Sequence, residues 1–138
     1  MSRAIVTYAA GAHEELLDVA LPSYREFAER HGYDLIIGKK MCDLPPAWNK
    51  VPLLVSALEQ YDEVVWFDCD MIVVDPSEDF PPMGPDPARG TFTQDKLHAL
   101  VRHFEDNSEV PNSGVWRLCR SCGDLLSKDL LNAMWELE

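Results

Sequence analysis

Two aspartates stand one residue apart at the end of the most apolar stretch of the sequence, Glu-Val-Val-Trp-Phe-Asp-Cys-Asp over residues 63–70. Burying a carboxylate is costly unless it is paired or bound to a cation. Alternate residues of a strand face the same way, so Asp68 and Asp70 should project together at the strand's end. Two carboxylates about 6–7 Å apart can share Mg²⁺ or Mn²⁺ and leave coordination sites open for a diphosphate.

A D-x-D pair is weak evidence on its own, because a chain with 13 aspartates in 138 residues can contain one by chance. The alternative is that both carboxylates simply end the strand at the surface and bind no ligand. Two neighbouring segments favour a site. Lys50 opens a predicted helix that leads into the aspartate strand, so its amine could reach a phosphate at the same sheet edge. Asn112-Ser113-Gly114 begins another apolar strand, where a glycine permits close ligand approach and an asparagine amide can bind hydroxyls.

The elements that must position these groups alternate between strand and helix patterns. They are a strand at 4–9, a helix at 13–30, a strand within 31–38, a helix at 47–60 and a strand at 63–68. Pro22 falls inside the first helix and predicts a kink or a break. This β-α-β-α-β order, with almost continuously apolar later strands, predicts an α/β fold with a parallel sheet.

The rest of the chain continues the same single domain, which we expect to span residues 1–138. Residues 75–90 hold five prolines and two glycines and predict a loop that would suit a lid. A short helix is expected within 91–106, a strand at 112–118 and a final helix at 121–138.

Composition excludes several kinds of partner. The net charge is −12, with 24 acidic against 12 basic residues, which disfavours nucleic acid and anionic membranes. No apolar run approaches the length of a membrane span. Four cysteines are too few and too unevenly spread for a secreted disulfide scaffold, so a reduced, cytoplasmic chain is expected.

The ordered set of motifs resembles a known family. Trp48-x-Lys50, then Tyr-Asp-Glu-Val-Val-Trp-Phe-Asp-Cys-Asp-Met-Ile-Val, then Asn-Ser-Gly-Val, is similar to the metal-dependent glycosyltransferases of the GT-A fold, both the glycogenin-like group and the related galactosyl/mannosyltransferases. Glu-Arg-His-Gly-Tyr-Asp-Leu near residue 33 is similar to the second-strand region of the latter group. The resemblance implies a Rossmann-like nucleotide-diphospho-sugar transferase fold, with a mostly parallel sheet flanked by helices.

The same resemblance implies the chemistry. A sugar would pass from a UDP- or GDP-linked donor to an acceptor, with retention, while Mn²⁺ or Mg²⁺ held by Asp68 and Asp70 binds the diphosphate, Asp70 being the surer ligand. The implied donor-binding residues are Thr7, Tyr8, Lys50, Asp95, Asn112 and Gly114. The first two would lie beside the base, the lysine would contact phosphate or sugar, and the last three would face the sugar. No catalytic residue is assigned.

These transferases normally run well beyond 138 residues, so the resemblance implies that the chain is their donor-binding portion. Apolar surface exposed where a C-terminal half would pack predicts self-association. The downstream histidine that completes the metal shell in glycogenin-like members has no counterpart at His98 or His103.

Three other functions stay open. A phosphatase of the haloacid dehalogenase type would use Asp68 as nucleophile and Asp70 as acid/base. A nucleotide-binding domain could keep the metal site without catalysing transfer. Cys119-x-x-Cys122, read as opening a helix, is the context of a thiol redox pair, although little chain follows it.

Overall fold

The computed structural model describes residues 2–81, 98–105, 108–122 and 125–136. A 3₁₀ turn at Pro46–Asn49 leads into the second helix. The helices and strands, in chain order, are β1 (Arg3–Thr7), α1 (His13–His31), β2 (Asp34–Ile37), α2 (Lys50–Gln60), β3 (Glu63–Phe67), β4 (His98–Glu105), β5 (Ser108–Cys119), β6 (Ser121–Cys122), β7 (Leu125–Leu126) and α3 (Ser127–Glu136). No helix in these ranges is long and apolar enough to cross a membrane.

Five of the described strands form one sheet in the order β2-β1-β3-β5-β4. The first three are parallel, and β5 runs antiparallel to both of its neighbours. Four of the five strands therefore point the same way, which confirms a mixed α/β fold with a mostly parallel sheet. The short strands β6 and β7 pair with each other.

Helices cover both faces of the sheet, because each central strand is apolar on both sides. On β3, Val64 and Trp66 pack with α2 and α3, whereas Val65 and Phe67 pack with α1. All five residues of β3 are buried, as expected for a strand covered by helices on both faces. The acidic residues that follow this buried strand therefore lie at the carboxyl edge of the sheet.

Of the kink or break expected at Pro22, the break is wrong, because helix α1 continues through this residue. A proline in a helix removes one backbone hydrogen bond. Apolar residues on either side of it, Ala20 and Tyr24, are nevertheless buried and hold both halves of the helix against the sheet. The helix ends at Gly32, whose left-handed backbone (φ 74°) lets its N–H donate to the carbonyl oxygen of Ala28.

Two later predictions need correction. The short helix expected within 91–106 is wrong where the structure describes it, because residues 98–105 form β4 and pair with β5. The final helix begins at Ser127 rather than at residue 121, since residues 121–122 and 125–126 pair as two short strands first. The strand expected at 112–118 is confirmed and lies within β5.

The described part of the proline-rich loop returns along the α1 side of the sheet. Phe80 packs against Phe27 and Phe67, with ring centroids 5.6 and 6.3 Å away. Asp79 accepts hydrogen bonds from Arg3 (2.7 Å) and Tyr33 (2.9 Å). Asp79 thus ties this segment to the amino edge of the sheet, and the remainder of the predicted lid, 82–90, lies outside the described residues.

Candidate functional site

A cleft of about 270 Å³ opens at the carboxyl edge of the parallel strands. The first residue after β3 is Asp68, and residues 69–70 form a turn. The residues that follow β1 make one wall, and the starts of α1 and α2 close the others. The polar and aromatic side chains of the lining are Tyr8, His13, Lys50, Trp66, Asp68 and Asp70.

Lys50 brings a positive charge into this cleft. Its Nζ lies 3.1 Å from Asp68 Oδ1 and donates to the backbone oxygen and the hydroxyl of Ser113, at 3.1 and 3.2 Å. The ammonium also lies 5.1 Å from the centroid of a Trp66 ring, within cation–π range. Only 15% of the Lys50 side chain is exposed, so its position is fixed by contacts on several sides.

A bulge in β5 brings the Asn-Ser-Gly segment to the aspartates. Trp116 of β5 pairs with Leu100 of β4, but the next β4 residue, Val101, pairs with Asn112. Residues 113–115 therefore have no partner in β4, and they turn toward β3 instead. The Asp68 N–H donates to the carbonyl oxygen of Gly114 at 2.9 Å. Bulges of this kind often occur beside active sites, where they redirect a strand.

The two aspartates differ in their surroundings. The Asp68 carboxylate accepts a hydrogen bond from the Trp66 indole at 2.6 Å and pairs with Lys50. Asp70 is exposed, and its carboxylate makes no hydrogen bond or ion pair with the described residues. Burial raises the pKa of the Cys69 thiol between them, and the charge of Asp70 adds to the effect. Cys69 is therefore a protonated thiol at neutral pH and a poor nucleophile.

The donor set suits a hard cation that is shared with a ligand. Among the described residues no group of three or more His, Cys, Asp or Glu side chains could hold a metal alone. Mg²⁺ and Mn²⁺ are commonly bound by one or two protein carboxylates, with phosphate and water completing the shell. Asp68 and Asp70 offer those two carboxylates in one cleft, so the residues fit an ion that arrives with a diphosphate.

The predicted donor-binding residues are placed differently. Tyr8 and Lys50 line the cleft, as expected. Thr7 is fully buried one residue earlier, does not line the cleft, and its hydroxyl has no hydrogen-bond partner among the described residues. Asn112 flanks the β5 bulge, and Gly114 lies in it and binds Asp68 through its backbone. The sixth of them, Asp95, lies outside the described residues.

Sequence reasoning missed three side chains of the site. Trp66 could have been found, because it precedes Asp68 by two residues and so shares its face of the strand. Ser113 stood inside the Asn-Ser-Gly motif but was not singled out. His13 lines the cleft from the first turn of α1. No local signal marks it, since its proximity to the aspartates arises from the β-α connection.

The Cys-x-x-Cys segment lacks the context of a redox motif. Cys119 ends β5 and Cys122 lies in β6, while α3 begins only at Ser127. A helix N-terminus therefore does not follow the pair directly, and that source of thiolate stabilisation is missing. The Ser127 hydroxyl instead donates to the carbonyl oxygen of Cys119.

Comparisons with known proteins agree with this geometry. Residues 5–82, more than half of the chain, match the galactosyl transferase GMA12/MNN10 family. A glycosyltransferase involved in the glycosylation of the major capsid of PBCV-1 has a similar structure, with a TM-score of 0.74 at 14% identity. The match covers 99% of this chain and 66% of that one, so the chain spans just under two thirds of that relative's length. A search of curated proteins finds no match.

Proposed function

The chain belongs to the galactosyl transferase GMA12/MNN10 family, and from that premise we propose that its cleft binds the nucleoside-diphosphate sugar of a glycosyl transfer. The observation that carries the proposal is the convergence of Asp68, Asp70 and Lys50 on one cleft at the carboxyl edge of a mostly parallel sheet. Open α/β sheets bind their ligands at this edge. Transfer to an acceptor with retention, from a UDP- or GDP-linked sugar, is part of the same proposal.

Asp70 would be the principal ligand of Mn²⁺ or Mg²⁺ and Asp68 the second. When bound, such an ion supplies Lewis-acid stabilisation of a diphosphate leaving group. The chain itself restrains the carboxylate of Asp68 more than that of Asp70. The Trp66 indole and Lys50 fix the direction of the Asp68 side chain. Asp70 has no such contact among the described residues and is free to turn toward a ligand.

Lys50 supplies the chain's own positive charge to the leaving group. Departure of a nucleoside diphosphate develops negative charge on phosphate oxygens. The ammonium is held in the cleft by Ser113 and over the Trp66 ring, so it need not reorganise when that charge appears. Preorganised charge of this kind is the most effective form of electrostatic stabilisation.

The walls of the cleft suit the rest of the donor. Tyr8 and His13 present ring surfaces at the side formed by β1 and α1, where we place the base. We place the sugar toward the β5 bulge of Asn112, Ser113 and Gly114, which meets the cleft through the contacts of Ser113 with Lys50 and of Gly114 with Asp68. Thr7 supports the Tyr8 side of the cleft from the core, because it is fully buried directly before Tyr8.

A phosphatase of the haloacid dehalogenase type fits the site less well. Its first aspartate must attack phosphorus, which requires a free carboxylate. Asp68 occupies that position, and its Oδ1 atom contacts both Trp66 and Lys50. The family match over residues 5–82 also supports a glycosyltransferase.

A stability screen tests the proposal. Unfolding is followed with UDP, GDP, ADP or CMP, each with and without Mn²⁺. A ligand at a hundredfold excess over its dissociation constant stabilises the folded state by about 2.7 kcal/mol, and this raises Tm by several degrees. We expect one nucleotide to act, and only with the metal. With the matching donor sugar, NMR of the released sugar should show the retained anomer.

Two matched variants complete the screen. Asp70→Asn should abolish the metal-dependent shift, because an amide is a poor ligand for Mn²⁺. Asp18→Asn makes the same change at an exposed position of α1 that does not line the cleft, and should leave the shift intact. A full shift in the Asp70→Asn protein, or no shift with any nucleotide in the wild type, would contradict the proposal.

A further inference from the structure

Tyr24 links the middle of α1 to the turn that carries the D-x-D pair. The side chain is 0% exposed, and its hydroxyl lies within hydrogen-bond reach of the carbonyl oxygens of Asp68 and of Met71, the latter at 3.0 Å, so that its one proton is shared between them. These carbonyls are the first and last of the four-residue segment that contains Asp70. One buried hydroxyl therefore spans the whole turn from beneath.

The residues around Tyr24 support the same segment. The adjacent Ser23 accepts a hydrogen bond from the N–H of Val73 at 3.1 Å. The Tyr24 ring packs edge-on against Phe67, the last residue of β3, with centroids 5.0 Å apart. The backbone from 67 to 73 is thus fixed to α1 at its start, at both ends of the turn and at its exit.

We propose that Tyr24 is a positioning residue for Asp70, holding the D-x-D turn in the conformation that presents this carboxylate to a metal-bound diphosphate. The inference rests on the proposed function. The Asp70 carboxylate makes no hydrogen bond or ion pair with the described residues, so its position depends on the backbone. On the α1 side of that backbone, the described hydrogen bonds to residues 68–71 come from Tyr24.

The chemistry of the hydroxyl fits this task. A tyrosine hydroxyl is protonated throughout the physiological range, so the group remains a donor. A phenylalanine at this position would keep the ring and its packing on Phe67. It would leave two inward-facing carbonyl oxygens without their donor, and such groups regain partners by moving toward water. The turn would then relax in the direction of the cleft.

The structure offers a matched control in Tyr33. It too is buried, and its hydroxyl also donates to the segment that follows β3, but at Asp79 near the amino edge. Tyr24→Phe and Tyr33→Phe remove the same atom from buried tyrosines, although the Tyr33 hydroxyl contacts Arg3 and the Asp79 carboxylate rather than backbone carbonyls. Loss of support around a metal ligand typically costs 10–100-fold in affinity. We therefore expect Mn²⁺ to bind at least about tenfold more weakly to Tyr24→Phe and unchanged to Tyr33→Phe.

The experiment measures free Mn²⁺ by electron paramagnetic resonance, together with amide hydrogen exchange across residues 68–73. Tyr24→Phe should weaken Mn²⁺ binding and speed exchange in this segment, whereas Tyr33→Phe should do neither. Equal weakening in both variants, or unchanged exchange in Tyr24→Phe, would overturn the inference. A wild type that binds no Mn²⁺ even with a nucleoside diphosphate present would overturn the proposed function, and the exchange measurement would then decide by itself whether Tyr24 holds the turn.

Discussion

Strand β3 has an acidic residue at each end, and each is paired with a basic residue in a different environment. At the amino end Glu63 lies 2.6 Å from Arg117, with side chains 3% and 8% exposed. Just past the carboxyl end Asp68 lies 3.1 Å from Lys50, with side chains 38% and 15% exposed. Each pair joins a carboxylate to a cation, but the first is closed to solvent and the second is open to the cleft.

Burial decides what each pair can do. Arg117 also donates to the carbonyl oxygen of Pro81 and lies 5.7 Å from the Phe80 ring, so protein groups occupy several sides of it. A pair of this kind cannot exchange partners without unfolding its surroundings. The pair of Asp68 and Lys50 lines a cleft, and a ligand can reach both charges. The first therefore serves the fold, and the second is suited to binding.

The largest effect is expected from Arg117→Met. The substitution leaves Glu63 buried without its cation. An unpaired buried charge of this kind lowers the free energy of unfolding by about 3–5 kcal/mol. Urea denaturation at pH 7 measures it. The double variant with Glu63→Gln should recover part of the loss, since no unpaired charge then remains. A loss below about 1 kcal/mol, the usual value of an exposed pair, would remove the distinction between the two ends of β3.

Lys50→Met sharpens the comparison because it should affect nucleotide binding and Mn²⁺ binding differently. Loss of the ammonium should weaken metal-dependent nucleotide binding about tenfold, the value of one modest charge-assisted hydrogen bond (about 1.4 kcal/mol). Mn²⁺ alone should bind no more weakly, because Lys50 no longer competes for Asp68. Titrations of each ligand measure the two constants, with Lys128→Met on α3 as the control. Equal weakening of both would contradict the open-pair interpretation.

The sequence predicted the amino-terminal half of the fold well, because its signals are local. Apolar periodicity and the β-α alternation indicated β1, α1, β2, α2 and β3. The residues around β4 misled, since Leu97, Leu100, Val101 and Phe104 recur at helical spacing. Its described part, His98–Glu105, pairs with β5 instead. The preference of a segment for helix or strand is weak compared with the hydrogen bonds that it can form at the edge of a sheet.

The site was predictable to the extent that its residues end strands or open helices. Asp68, Asp70 and Lys50 were found in this way. Tyr24 was not, because it lies 44 residues from the Asp68 carbonyl that it binds, in a helix whose pattern indicates only a buried face. The contact between Lys50 and Ser113 spans 63 residues and depends on a bulge that no local pattern announces.

Asp79 provides a pH test of the closed amino edge. Burial acts to raise the pKa of its carboxyl group, but hydrogen bonds from Arg3, Tyr33 and the N–H of Phe80 outweigh it, and the pKa is lowered overall. A lowered pKa in the folded state gives stability that is present above the unfolded value, about 3.9, and is lost as the pH falls through the folded value.

Urea midpoints at pH 7 and near pH 3 should therefore fall closer together in Asp79→Asn than in the wild type. At pH 7 the variant should be the less stable of the two, because it lacks the ionised partner of Arg3. Metal-dependent nucleotide binding at pH 7 should not change, since the network lies at the opposite edge from the cleft. An unchanged difference between the two midpoints would show that Asp79 contributes nothing to acid unfolding.

The smallest effect is expected from a pair that is open on every side. Glu26 and Arg30 are neighbours on the outer face of α1, 3.2 Å apart and at least half exposed. Exposed pairs at this helical spacing contribute about 0.3–0.5 kcal/mol, so Glu26→Gln should barely move the urea midpoint, and added salt should erase the difference. A double-mutant cycle with Arg30→Met measures the coupling free energy. A coupling as large as that of Glu63 with Arg117 would mean that exposure does not set the strength of ion pairs in this fold, and the assignment of the Asp68–Lys50 pair to binding would lose its physical basis.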